Sequence, residues 1–315
     1  MLSVRFTKVI GFVVSMVMIL SCLSFGCSEN VQAMNTSLEY VRYDYNAKTT
    51  STYTLDSVPY TDNSRILVPE NRNEDLGNTA VVRLVMNDAY IGTGFIVGKN
   101  VIATDAHCIS NQAAGTFIEK IDVIVCKDKV SEVIATYEPD SIHVPANYFN
   151  YAEEYKHSCY DYGLIYIGDA SFDANDDEKL LKHGVFNLGV PMDKFLADRN
   201  TVYASGFPGQ THGDKDNIEA KRYVSEGNIQ FFTKDINKFS SSFALRFAAT
   251  SVVSGGQSGG PLYTYTKTYD GNSYRTAIGI VTGGGYNSEE GMYIGTYGVR
   301  VTTDILHFYL NNSYL

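Results

Sequence analysis

Three short segments carry residue types that together can perform nucleophilic chemistry: T-D-A-H-C at 104–108, C-Y-D-Y-G-L-I at 159–165 and S-G-G-Q-S-G-G-P-L at 254–262. A serine hydroxyl is a weak nucleophile at neutral pH until an imidazole takes its proton, and a buried carboxylate holds that imidazole in the required tautomer. Ser258, His107 and Asp161 are the residues expected to fill these roles. Gly256 allows the backbone to turn so that its own N–H and that of Ser258 converge where a tetrahedral oxyanion would form. Each segment alone is a weak signal, since a G-x-S-G-G can be a plain turn and an A-H-C a core histidine. Asp161 gains weight from the apolar L-I-Y-I run behind it, which reads as a buried strand whose entry carries the carboxylate into a protected place. Taken in series, the three predict acyl transfer.

The elements that must position these residues read as strands. Short alternating or β-branched runs recur between turn signals, among them Ala80–Val85, Tyr90–Val97, Val101–Thr104, Gly163–Ile167, Val202–Ser205, Pro261–Tyr265 and Tyr297–Thr302. Such spacing predicts an all-β barrel or sandwich. At the end of the chain, apolar residues at helical spacing from Asp304 to Leu310 predict a short terminal helix. A loop-like stretch places the joint between two groups of strands near residue 190. The acidic run Asp173–Glu178 lacks the spaced ligands and glycine of a calcium loop and reads as a solvated surface.

Residues 1–33 have the pattern of a secretory signal, with Arg5 and Lys8 in front, an apolar stretch from Val9 to Leu20 and a small-residue cleavage site ending at Ala33. The apolar run falls short of the ~20 residues of a spanning helix, so no stable membrane association is expected after signal removal. Cys22 leaves lipoprotein processing as an alternative. From 34 to 65 the chain is polar, rich in Asn, Thr, Ser and Tyr, and reads as a pro-segment. The net charge of −10, without a Lys/Arg cluster, speaks against a nucleic-acid partner. Cys108, Cys126 and Cys159 permit at most one bridge in the exported part, in any of three pairings, and no Cys/His spacing resembles a metal site. No cofactor is expected.

Beyond the three segments, G-T-G-F-I-V-G-K-N-V-I-A-T-D-A-H-C, S-G-F-P-G at 205–209, S-E-G-N-I at 225–229 and G-I-V-T-G-G-G at 279–285 resemble the chymotrypsin-like serine proteases, specifically the bacterial glutamyl endopeptidase branch, over most of 66–315. The resemblance implies two six-stranded antiparallel β-barrels of the trypsin type with a short C-terminal helix. These would be an N-terminal barrel over 66–190 and a C-terminal barrel plus helix over 191–315, with the triad at their seam. It implies a secreted serine endopeptidase acting on protein or peptide substrates, with the oxyanion held by Gly256 and Ser258. Substrate would lie against Val253, Val281, Thr282, Gly283, Gly284 and Arg300.

Departures from the family pattern matter. Gln257 stands where digestive proteases carry an Asp that receives the new N-terminus, so activation must work differently; cleavage between Arg65 and Ile66 is the expected processing point. Val252 lies where trypsin-like pockets carry an acid, and Val281 where glutamyl endopeptidases carry a histidine. A preference for acidic residues before the scissile bond therefore leans on Arg300, whose guanidinium can pair a carboxylate bidentately, unless it points out from its strand. The alternative function is a narrow-specificity toxin-like or binding protein on a protease scaffold.

Overall fold

Eighteen strands carry the fold in this computed structural model, which describes residues 37–56, 79–127, 129, 131–150, 158–209, 222–232, 246–251, 253–267, 273–287 and 292–312. The signal, the Arg65–Ile66 processing point and Val252 lie outside the described residues. In chain order the strands of the first half are β1 (Ser37–Asp44), β2 (Thr49–Asp56), β3 (Val81–Met86), β4 (Tyr90–Ile96), β5 (Val101–Thr104), the short pair β6 (Ser110–Asn111) and β7 (Thr116–Phe117), β8 (Ile121–Cys126), β9 (Val133–Tyr137), β10 (Ser141–Pro145) and β11 (Gly163–Tyr166). All but β6 and β7 form one antiparallel sheet in the order β2-β1-β10-β11-β5-β4-β3-β8-β9. Its inward side chains alternate as the sequence pattern requires: in β3, Val82, Leu84 and Met86 are buried while Arg83 and Val85 are half-buried.

The second half contributes β12 (Asn187–Leu188), β13 (Thr201–Gly206), β14 (Tyr223–Phe232), β15 (Arg246–Ala249), β16 (Pro261–Lys267), β17 (Ser273–Asn287) and β18 (Met292–Arg300). They pair in the order β12-β17-β16-β13-β14-β15-β18, and β17 also pairs with β18. Six strands thus complete a circuit of antiparallel pairings, with β12 added in parallel on β17. Among the described residues there are also four α-helices, α1 (Ala106–Ile109), α2 (Ala146–Asn150), α3 (Asp193–Ala197) and the terminal α4 (Thr303–Asn312), beside three short 3-10 helices.

The trypsin-type arrangement of two antiparallel β units with a C-terminal helix is therefore present, but the first sheet is an open nine-stranded one in place of a six-stranded barrel. Two of its strands come from the stretch read as a pro-segment. Its β1–β2 hairpin takes the edge of β10, with Tyr40 opposite Pro145 and Val41 opposite Val144. Tyr40 is fully buried, stacked 4.5 Å from Phe308 of α4 and 5.5 Å from Tyr53. Tyr43 stacks on Phe117, and the Tyr45 hydroxyl donates to the Ile118 carbonyl at 2.6 Å. Tyrosine rings rather than aliphatic periodicity bury this hairpin. Tyr40→Ala should lower unfolding free energy by about 3–5 kcal/mol through the cavity it leaves. Thermal melting checks this, and an unchanged Tm would make the hairpin peripheral to the folded unit.

His143 and His183 serve the core. His143 sits between the Tyr53 and Ser141 hydroxyls at 2.9 and 3.1 Å, and burial lowers its pKa to about 3. His183 meets the Tyr137 hydroxyl at 2.9 Å and is lowered to about 4, again chiefly by burial.

Candidate active site

The meeting of His107 with Asp161 follows from strand register. Thr104, the last residue of β5, lies opposite Gly163, the first of β11, in an antiparallel pair. Residues just after 104 must then run beside residues just before 163, although 54 positions separate His107 from Asp161. Gly163 leaves room at that crossing for Ile109, whose Cδ1 would stand 2.6 Å from a Cβ there and would have to turn aside. The result is a two-point clasp: the His107 backbone N–H donates to Asp161 Oδ1 at 2.9 Å, and Nδ1 to Asp161 Oδ2 at 2.8 Å. With Nδ1 carrying the proton, Nε2 keeps its lone pair for an incoming proton.

The electrostatics favour a basic imidazole. Burial alone would lower the His107 pKa, but the charges of Asp161 and Asp105, together with the Asp161 hydrogen bond, outweigh it and hold the ring well above its ordinary 6.5. Among the described residues, Asp105, His107 and Cys108 are the one group whose donor atoms come close enough for a cation, within 4.8 Å of one another. His107 Nδ1 is committed to Asp161, which leaves that set poorly suited to a metal.

Ser258 arrives from the second sheet by the same logic of register. Pro261 pairs with Ile280, and the ladder continues backward through Gly260 O to Val281 N and Gly259 N to Val281 O, both at 2.8 Å. This brings Ser258 beside Thr282, to whose carbonyl its hydroxyl donates at a long 3.4 Å. The turn packs on α1: the Cys108 thiol reaches the Ser258 carbonyl at 3.6 Å. Cys108, Cys126 and Cys159 are buried, and no disulfide joins any two of them.

Backbone orientation around the serine is set by anchored carbonyls. The Gly255 carbonyl accepts from Gly209 N at 2.7 Å, and in a trans peptide the Gly256 N–H must then point the opposite way. The Gln257 carbonyl likewise accepts from Gly260 N at 3.1 Å, which orients the Ser258 N–H. Gly256 has φ +93°, and a Cβ there would lie 2.2 Å from Gly209 N. Gln257, in the place of the activation Asp, is buried and turns its side-chain carbonyl onto Ser254 N at 2.9 Å. That bond braces the turn from within.

Thr93 joins the two sheets at this point and is a residue that sequence reading missed. Fully buried on β4, it donates its N–H to the Ser258 carbonyl at 2.8 Å and its hydroxyl to the Gly256 carbonyl at 2.8 Å. It also accepts from Phe207 N at 3.0 Å through that hydroxyl, and its carbonyl is held by the Thr104 hydroxyl at 2.8 Å. Its signal was the G-T-G-F-I run, where a polar residue stands alone at an inward strand position.

The profile of the trypsin-like peptidase domain matches residues 92–268, more than half of the chain. The chain belongs to that family. No curated protein matches the sequence. Solved structures similar to this trypsin-like peptidase include a Glu endopeptidase in complex with MPD, at 16% identity and TM-score 0.55, covering 76% of this chain and 92% of that one. A thermostable serine protease from an extremophilic microorganism aligns at 12% identity and TM-score 0.55, covering 76% of this chain and 99% of the other. At these identities the likeness is one of fold.

Among the expected pocket residues of this peptidase, Val253 and Val281 are fully buried and belong to the core beneath the surface. Thr282, Gly283 and Gly284 are half-buried on β17, beyond the stretch paired with β16, and the space above Gly283 is open. An extended peptide can add to that edge by main-chain hydrogen bonds. Arg300 is buried on β18 with its guanidinium directed at the start of α3, donating to the Pro191 carbonyl and to Asp193 Oδ1, each at 2.8 Å.

Proposed function

We propose that this trypsin-like peptidase is a secreted serine endopeptidase that works through an acyl-enzyme. The observation that carries the reading is the His107–Asp161 clasp lying against a nucleophile turn whose peptide planes are anchored on both sides. On substrate binding, the Ser258 hydroxyl leaves the weak contact with Thr282 O and turns to His107 Nε2. The proton passes to that nitrogen as Oγ bonds to the substrate carbonyl carbon, and the carbonyl oxygen, now negative, is received by the Gly256 and Ser258 N–H groups. The protonated ring then delivers the proton to the leaving amine. Water repeats the sequence to free the acid.

Export would follow removal of residues 1–33, and maturation would follow cleavage after Arg65. Since β1 and β2 are built into the first sheet, such a cut leaves the hairpin docked on β10 and α4, held by buried tyrosine contacts rather than by a covalent link. A preference for acidic residues is weakened by Asp193, which already neutralises Arg300; a substrate carboxylate would have to compete for that guanidinium.

Fluorophosphonate labelling combined with cleavage profiling of a peptide mixture tests the reading. Labelling of Ser258 and cleavage of mixed peptides are expected. Cleavage after Glu or Asp would support the acidic preference, and cleavage confined to other residues would remove it. Correctly processed protein that takes no label would favour the alternative of a binding protein on this scaffold.

A further inference from the structure

We infer that Asp105 is a second carboxylate partner of the His107 imidazole, a positioning residue that shares with Asp161 the task of holding the ring's proton and stabilising its positive form. The inference rests on the reading of His107 as the general base.

Asp105 is fully buried, and its Oδ2 lies 3.6 Å from the same Nδ1 that Asp161 holds at 2.8 Å. It stands at the N-cap position of α1, yet its side chain makes no cap hydrogen bond, so helix capping does not account for an aspartate there. A carboxylate withdrawn from water is costly unless positive charge faces it. Here that charge is the imidazolium that forms each time the Ser258 proton moves to Nε2 while Nδ1 keeps its own. The ring, 38% exposed on its outer side, then meets two buried carboxylates at its Nδ1 edge, where such interactions are stronger than in water.

The other titratable groups around the pair do not compete. Cys108 on α1, Tyr148 on α2 and Tyr309 on α4 are all shifted upward, first of all by burial, and stay neutral where the peptidase would work. Tyr309 is further held by its bond to the Gly163 carbonyl at 2.8 Å. Asp105 and Asp161 are therefore the charges to which the ring responds.

The sign of the pH effect follows. A nearby carboxylate favours the protonated ring, whereas attack needs the neutral one, so Asp105 moves the acid limb of kcat/KM to higher pH. In Asp105→Asn the limb should shift to lower pH, and kcat above the limb should fall about tenfold. In Asp161→Asn, Asp105 remains to accept from Nδ1. Turnover should then stay above the one part in about 10⁴ left when a lone triad carboxylate becomes an amide, and the double variant should drop to that floor. Asp105→Ser serves as a second variant. An unmoved limb in whichever variant folds overturns the inference, and so does failure of both to fold, which would assign Asp105 to the fold. Wild-type labelling by a fluorophosphonate separates the two levels: no label defeats the general-base reading itself, while label with an unmoved limb defeats only the role of Asp105.

Discussion

Ser258→Ala is expected to cut turnover on a peptide substrate by about 10⁶, the size of loss seen when a serine nucleophile of this kind is removed. The argument is chemical before it is structural. With the Ser258 hydroxyl gone, water must attack without covalent catalysis. What remains should be the part that the oxyanion donors and substrate binding supply, because the backbone of Ser258 stays in place through its carbonyl's bond to Thr93 N. Stability should change by less than about 1 kcal/mol, since the hydroxyl's bond to Thr282 is long. Measuring kcat beside Tm checks both halves. A variant with full activity on casein would place the nucleophile elsewhere.

Gly256→Ala should lower kcat by about 10²–10³, the loss typical for one oxyanion donor. At φ +93° any side chain is strained, and the new Cβ would press on Gly209 N at 2.2 Å and Phe207 O at 2.7 Å, both backbone atoms with little freedom to retreat. The chain can accept alanine only by rotating the Gly255–Gly256 peptide, and that rotation re-aims the N–H. Because the lost contact is made to charge that develops in the transition state, kcat and kcat/KM should fall together with KM nearly unchanged. Steady-state kinetics on a variant shown to be folded by its melting curve makes the measurement. Unaltered kcat would mean that the oxyanion is held by other groups.

Much of the site was legible because its chemistry is written in contiguous motifs. The histidine, aspartate and serine segments, the Gly256 turn and the strand behind Asp161 each need only a few neighbours to be recognised. The hairpin of β1 and β2 was not, since Asn, Thr, Ser and Tyr in that stretch give no apolar periodicity; its burial comes from rings that find Phe308 and Phe117, one of them more than 260 residues away. Arg300 illustrates the same limit from the other side. Its charge is evident in the sequence, but its partner, Asp193, lies 107 positions earlier.

The amino-acid order thus supplied the residues proposed as nucleophile, base and orienting acid, the run of the chain as strands, and where it must turn. Only the tertiary structure decided that two carboxylates rather than one approach His107, that Gln257 bonds back onto Ser254 within its own turn, and that the guanidinium of Arg300 faces Asp193. The physical reason is that reactivity belongs to a side chain and its immediate neighbours. Electrostatic partnership depends on distances of a few ångströms, set by how strands far apart in the chain are brought into register.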